Sequence, residues 1–172
     1  TIMGYDHNAG DPSDEILFGQ WADIVAEDEE LAEYVSSYGF HCYSQGWQDG
    51  HRDFLKTARE NYPDHKLFVT EITESATSGV DFALNLAWSM KNVTVGPLSS
   101  GASAAIYWNG ILDPNGKPIK GNTAVCYGLL TYDGTNLYRN PAFYSLAHNA
   151  RFLYPLDGKY PVRVDSYADN EA

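Results

Sequence analysis

Apolar and polar positions along the chain switch between two periods. Short runs with strand character alternate with longer stretches in which apolar residues recur every three or four positions, a pattern that predicts βα units around a parallel sheet. Thr1 to Tyr5 reads as a short apolar strand ending at the polar cluster Asp6-His7-Asn8. Leu17, Trp21, Ile24 and Val25 follow at helical spacing, and Leu31, Tyr34 and Val35 continue the stripe. A second strand is predicted over Tyr38 to Tyr43. Phe54, Leu55, Ala58 and Tyr62 mark an amphipathic helix that Pro63 terminates, because proline lacks the N–H and its ring clashes with the preceding turn. The third strand, Lys66 to Thr70 ("KLFVT"), is the clearest and stops at Glu71. Phe82, Leu86, Met90 and Val93 give another helical stripe, and Ser103 to Trp108 a fourth strand before the turn-rich "DPNGKPIKGN". Asn140-Pro141 has the form of an N-cap with proline at the first helical position, and Phe143, Leu146, Ala147, Ala150 and Leu153 lie on the helix behind it. The tail "YPVRVDSY" alternates as one antiparallel strand.

Each predicted strand ends in chemically useful side chains: Asp6 and His7, then His41 and Tyr43, then Glu71, then Trp108 and Asn109. Ligands of parallel α/β sheets sit at the carboxyl ends of the strands. Four units form either a small open sheet or half of an eight-unit barrel. A free half-barrel exposes two strand edges, which are pairing hazards, so that reading implies an N-terminal half.

Composition narrows the function classes. With 172 residues the chain is long enough for a sizeable core, and 44% apolar with 20% charged residues is ordinary for a globular protein. Eleven basic against 23 acidic residues give a net charge of −12, which does not attract phosphate backbones and argues against nucleic acid. No apolar run approaches bilayer length, so a membrane partner is not expected. The opening at Thr1 without Met predicts that earlier sequence exists. Cys42 and Cys126 lack metal-type spacing and are expected to be buried free thiols. His51, His65 and His148 show no metal-ligand spacing, so no metal and no organic cofactor is expected. Asn92-Val93-Thr94 is a glycosylation sequon, meaningful only in a secreted eukaryotic protein. The 13 Tyr and four Trp suit a neutral sugar, with flat apolar faces and polar tips, or plain packing.

In order and spacing, "FHCY", "LFVTEITESA", "YWNGILDPNGKP" and "CYGLLTYDGTNLYRNPAFYSLAHNARFL" resemble the family 30 glycoside hydrolases, which include glucosylceramidases and related β-glycosidases. The resemblance runs from about Ile2 to Val164. It implies a (β/α)8 TIM barrel with an accessory β-sandwich, the four strands here being its fifth to eighth. On that basis residues 1–156 are half of the catalytic barrel and residues 157–172 the first strand of the sandwich. Glu71 falls on the family's catalytic nucleophile, whereas its acid/base, a Glu after Asn ending the fourth strand, would lie upstream of Thr1. His41 and Tyr43 resemble residues flanking the nucleophile and sugar, Trp108 and Asn109 a sugar platform and its hydrogen-bonding neighbour, and Asp6 a looser polar match. The segment from Pro114 to Asn122 is expected to shape the rim. The implied partners are a glycan or glycoside substrate and the N-terminal half of the barrel, and an extracellular location is favoured.

Retaining hydrolysis needs two carboxyls about 5–5.5 Å apart, one attacking the anomeric carbon and one protonating the leaving oxygen. The nucleophile must stay ionised, and Tyr43 or His41 is placed to donate to Glu71. Glu74, three residues on, is expected to be a solvated loop residue or the cap of the next helix; as a second carboxyl it ranks below Asp6, and both rank below the upstream Glu. Two other readings stay open. One is a non-catalytic carbohydrate-binding remnant, the other a stand-alone α/β domain.

Overall fold

The computed structural model describes residues 2–8, 18–43, 50–74, 81–118, 126–155 and 158–159, with backbone only for 50–52. The tail expected to begin a β-sandwich, and the second half of the Pro114–Asn122 rim, lie outside the described residues.

Four strands run parallel in chain order: β1 (Ile2–Asn8), β2 (Val35–His41), β3 (Lys66–Ile72) and β4 (Ala104–Tyr107). Between them lie α1 (Phe18–Glu27), α2 (Glu29–Tyr34), α3 (Gly50–Asn61), α4 (Phe82–Ser89), a π-helical segment (Met90–Val95) and the short α5 (Gly96–Ser99). Such an order follows from βα units laid side by side, as the sequence pattern predicts. A small sheet of β5 (Ile111–Leu112), β6 (Leu130–Tyr132) and β7 (Leu137–Arg139) then leads into α6 (Pro141–Leu153). The small sheet is not foreshadowed in the sequence, because its strands are only two or three residues long.

One face of the parallel sheet carries the core. Tyr38, Phe40, Leu67 and Val69 are fully buried there against Phe18, Ala22 and Val25 of α1, Leu55 and Ala58 of α3, and Val93. Edge-to-face ring pairs tie the layers together, with Phe18 at 4.9 Å from Phe40 and 5.1 Å from Tyr38. Trp21 lies on Gly4, where an added Cβ would collide with its Cη2, so α1 approaches β1 only because residue 4 has no side chain. The other face, read from the two-residue period of the strands, carries Met3, Gly39, Phe68, Thr70 and Ile106; Met3 and Ile106 are exposed.

Several boundaries and faces differ from the sequence reading. The stripe through Leu31, Tyr34 and Val35 is broken at Asp28, whose carboxylate accepts from the Glu30 and Leu31 amides and starts a separate helix. Val35 opens β2, which ends at His41 rather than Tyr43, while Ile24, Leu31 and Tyr34 are exposed. Strand β3 continues through Glu71 to Ile72, and β4 is shorter than predicted at both ends. Asn140 is the N-cap residue of α6 with proline next, but its amide bonds the Gly128 carbonyl and Thr131 hydroxyl rather than the helix. The sequon asparagine lies inside the fold: Asn92 is buried and its Nδ2 donates to the Trp88 carbonyl at 2.8 Å. Among the described residues no helix is long and apolar enough to cross a membrane.

Candidate active site

The carboxyl ends of β1, β2 and β3 are in register, with Asn8 opposite His41 and His41 opposite Glu71. Backbone pairing alone therefore lines up the polar residues that the sequence places at successive strand ends. Glu71 is held from both sides at its own backbone: its carbonyl accepts from the Cys42 N–H at 3.2 Å, and the next carbonyl, of Ile72, from the Trp108 N–H at 2.9 Å.

The Glu71 carboxylate has two donors beside it. Tyr43 donates its hydroxyl to it, and burial first, then the Glu71 charge and that hydrogen bond, push the phenol well above its usual value. The phenol thus stays neutral and keeps its proton for the carboxylate at any working pH. The His41 Nε2 lies 3.6 Å from Glu71 Oε2 and 3.4 Å from Asp6 Oδ1, so one ring nitrogen faces two carboxylates. Asp6 Oδ1 also accepts from the Thr70 hydroxyl at 2.7 Å. His7 stacks parallel to His41 with centroids 6.3 Å apart, and Tyr43 meets His41 edge-on at the same distance.

Two of the strand ends carry unusual backbone. Tyr5 and Asp6 have φ of 72° and 53°, at a bulge between Tyr5 and His7, and Asn109 has φ of 83°. Non-glycine residues in this region cost on the order of 1 kcal/mol or more and persist only where the surroundings hold them. Here Tyr5 is held by its ring against Phe18 and by its hydroxyl on the Asn8 carbonyl, and Asn109 by its carbonyl accepting from the Leu129 N–H at 3.0 Å. Asn109 Nδ2 is buried with no hydrogen-bond partner among the described residues. Trp108 is half-buried beside it.

The sequence-predicted residues Asp6, His41, Tyr43 and Glu71 are thus brought together, with Trp108 and Asn109 ending the next strand. Glu74 departs from expectation. It is neither solvated nor a helix cap: it is 6% exposed and accepts from the Asn85 amide, while the α4 cap is Asp81, which accepts from the Ala83 and Leu84 amides. Burial raises the Glu74 carboxyl above its usual value and the Asn85 bond pulls part of the way back. Thr70 and Gly39 escape sequence reasoning. Only Gly39 leaves a trace there, as a glycine inside an apolar strand. Both cysteines are free and buried; burial pushes the Cys42 thiol up to about 12, and burial, then the Glu71 charge, raises Cys126. Among the described residues no three His, Cys, Asp or Glu side chains could hold a metal ion.

The model of the glycosyl hydrolase family 30 TIM-barrel domain matches residues 12–153. The chain is 28% identical to "Putative glucosylceramidase 2" of Caenorhabditis elegans over 85% of its own length and 28% of that protein's. It is also 28% identical to an endo-1,6-β-D-glucanase of Aspergillus fumigatus, over 90% of its own length and 28% of that protein's. Among solved structures an endo-β1,6-glucanase superposes with a TM-score of 0.81 at 25% identity, covering 98% of this chain and 37% of that one. The chain therefore spans well under half the length of the relatives it matches.

Proposed function

The chain belongs to glycosyl hydrolase family 30, and from that premise we propose that it supplies the nucleophile half of a retaining β-glycosidase, with Glu71 attacking the anomeric carbon. The single observation that carries this reading is the environment of Glu71, a carboxylate at a parallel strand end with a neutral tyrosine hydroxyl donating to it and a histidine nitrogen 3.6 Å away. Both neighbours fix the carboxylate at the strand end, where a nucleophile has to be presented.

In the proposed reaction Glu71 displaces the leaving-group oxygen to form a covalent glycosyl ester, and water then hydrolyses that ester with retention. The general acid/base is a Glu from the upstream half of the barrel. Glu74 is a poor substitute, because its carboxyl is buried on Asn85 of α4 rather than presented at the strand ends. Trp108 stacks under the sugar and the free Nδ2 of Asn109 donates to one of its hydroxyls. His41 and Tyr43 border the same sugar while holding the nucleophile. The substrate class is a neutral β-glycoside, the names of the relatives favouring a glucoside. Residues 1–156 serve as the half-barrel, and residues 157–172 begin the accessory sandwich.

The test is a 2-deoxy-2-fluoro glycosyl fluoride, which lets the ester accumulate on the full-length protein. Peptide mass spectrometry is expected to find the label on Glu71; a label on Glu74 or elsewhere overturns the assignment. Glu71→Gln is expected to lower kcat by several orders of magnitude while sugar binding persists.

A further inference from the structure

We propose that Asp6 is a positioning residue, which fixes Glu71 through the His41 imidazole rather than by touching the sugar; this rests on Glu71 being the nucleophile. Three features of the fold converge on one oxygen, Asp6 Oδ1. The Thr70 hydroxyl donates to it at 2.7 Å, with the Phe40 carbonyl as a longer second acceptor at 3.2 Å. The His41 Nε2 lies 3.4 Å from it. Gly39, on the strand between Asp6 and Thr70, leaves the space they meet in: an added Cβ would lie 3.2 Å from Asp6 Oδ1 and 2.9 Å from Thr70 Cγ2.

The backbone is strained at the same place. Left-handed φ at both Tyr5 and Asp6, within the bulge of β1, re-aims the Asp6 side chain across β2 toward β3. Strain of this kind is retained where a specific side-chain placement depends on it, and here the placement is the Thr70–Asp6–His41 contact.

The consequence for the nucleophile follows from His41. Its Nε2 faces Asp6 and Glu71 together, at 3.4 and 3.6 Å, and its ring meets Tyr43, the other donor to Glu71, edge-on. An imidazole drawn fully to Glu71 leaves Asp6, and one drawn to Asp6 leaves Glu71. Asp6, pinned in turn by Thr70, sets where the ring rests, and so sets the position of both groups that hold the Glu71 carboxylate. A misplacement of about 1 Å at a reacting atom costs on the order of 100-fold in rate.

The experiment measures kcat and KM of the full-length protein on an activated aryl β-glycoside, for Asp6→Asn, Thr70→Val, Thr70→Ser, His41→Gln and the Asp6→Asn/His41→Gln pair. Asp6→Asn is expected to lower kcat about 10- to 100-fold with KM within about twofold of wild type. Thr70→Val moves kcat in the same direction, and Thr70→Ser, which keeps the hydroxyl, restores it. The double variant is no slower than His41→Gln alone, because the two residues act in series. A raised KM with unchanged kcat in Asp6→Asn makes Asp6 a sugar contact and overturns the proposal, as do additive losses in the double variant. The fluoro-glycoside label separates the two layers of the argument: with the label on Glu71 those outcomes sink the positioning role alone, whereas a label elsewhere overturns the nucleophile reading and the positioning role with it.

Discussion

Glu74 shows how much a single side chain's surroundings can reverse a reading of its type. A glutamate three residues past a strand end reads as solvated, yet its carboxyl is buried and bonded to Asn85. The Asn85 Oδ1 has no partner among the described residues. A neutral carboxyl can accept from the amide nitrogen and donate to that oxygen, whereas a carboxylate can only accept. Burial raises the carboxyl in the folded state, so its contribution to stability is complete below the unfolded value of about 4.3 and is lost as pH rises through the folded one. Glu74→Gln keeps the paired geometry without the charge. Its Tm is expected to exceed that of wild type at pH 7 and to converge with it near pH 4; equal melting at both pH values counts against a neutral buried carboxyl. The contrast with Glu71, His41 and Tyr43 says what a sequence can carry. The clustering of those three is legible because parallel strands in register bring their carboxyl ends together. Glu74, Thr70 and Gly39 act through partners 11, 64 and several tens of positions away in the chain, and no periodicity encodes such a pairing.

At the scale of elements, the four strands, their order and the core face of α3 through Phe54, Leu55, Ala58 and Tyr62 are legible, and the face of the helix after β3 is not. The stripe Phe82, Leu86, Met90 and Val93 assumes one unbroken α-helix. The chain instead widens into a π segment at Met90, in which Asn92 and Thr94 are buried beside Val93, while Phe82 at the start of α4 is half-exposed. Asn92 and Thr94 stabilise that segment by bonding back to the carbonyls of Trp88 and Met90. On α6 Ser145 and Asn149 meet this segment, and of the apolar row through Phe143 and Leu153, Leu146 packs against the core. Small and polar residues make this contact, with Ser145 Oγ 3.2 Å from Thr94 Oγ1 and Asn149 donating to Thr94 at 2.9 Å. An apolar periodicity cannot see an interface built from hydroxyls. Helix α1 is tied to β1 more simply, through Trp21 lying on Gly4. Gly4→Ala forces the indole off the strand and is expected to cost about 1–3 kcal/mol, read as a shift in the urea midpoint. A midpoint unchanged within error would mean that α1 re-packs freely and is not anchored there.

Among the described residues the parallel sheet has helices against one face, and a separate small sheet of β5, β6 and β7 follows it in the chain. Beyond β1 and β4 no further strand pairs among the described residues, and Met3 and Ile106 stand exposed on the uncovered face at 41% and 53%. Parallel sheets are stable when both faces and both edges are covered, and uncovered ones invite pairing with other chains. The family's TIM barrel satisfies that condition by closing the sheet on itself, so that the uncovered face becomes the packed interior and neither edge remains. Under the half-barrel proposal the carboxyl ends of β1 to β4 form half of the barrel's catalytic rim, and the acid/base approaches Glu71 from the other half. Expressed by itself, residues 1–172 are then expected to self-associate, to bind a hydrophobic dye and to leave Glu71 unlabelled by the fluoro-glycoside. Co-expressed with the complementary half of the barrel, the chain is expected to elute as a one-to-one complex, lose the dye signal and take up one label on Glu71. A monodisperse monomer that hydrolyses the glycoside unaided would instead require both carboxyls within this chain. The search for the second one would then return to Asp6 and Glu74.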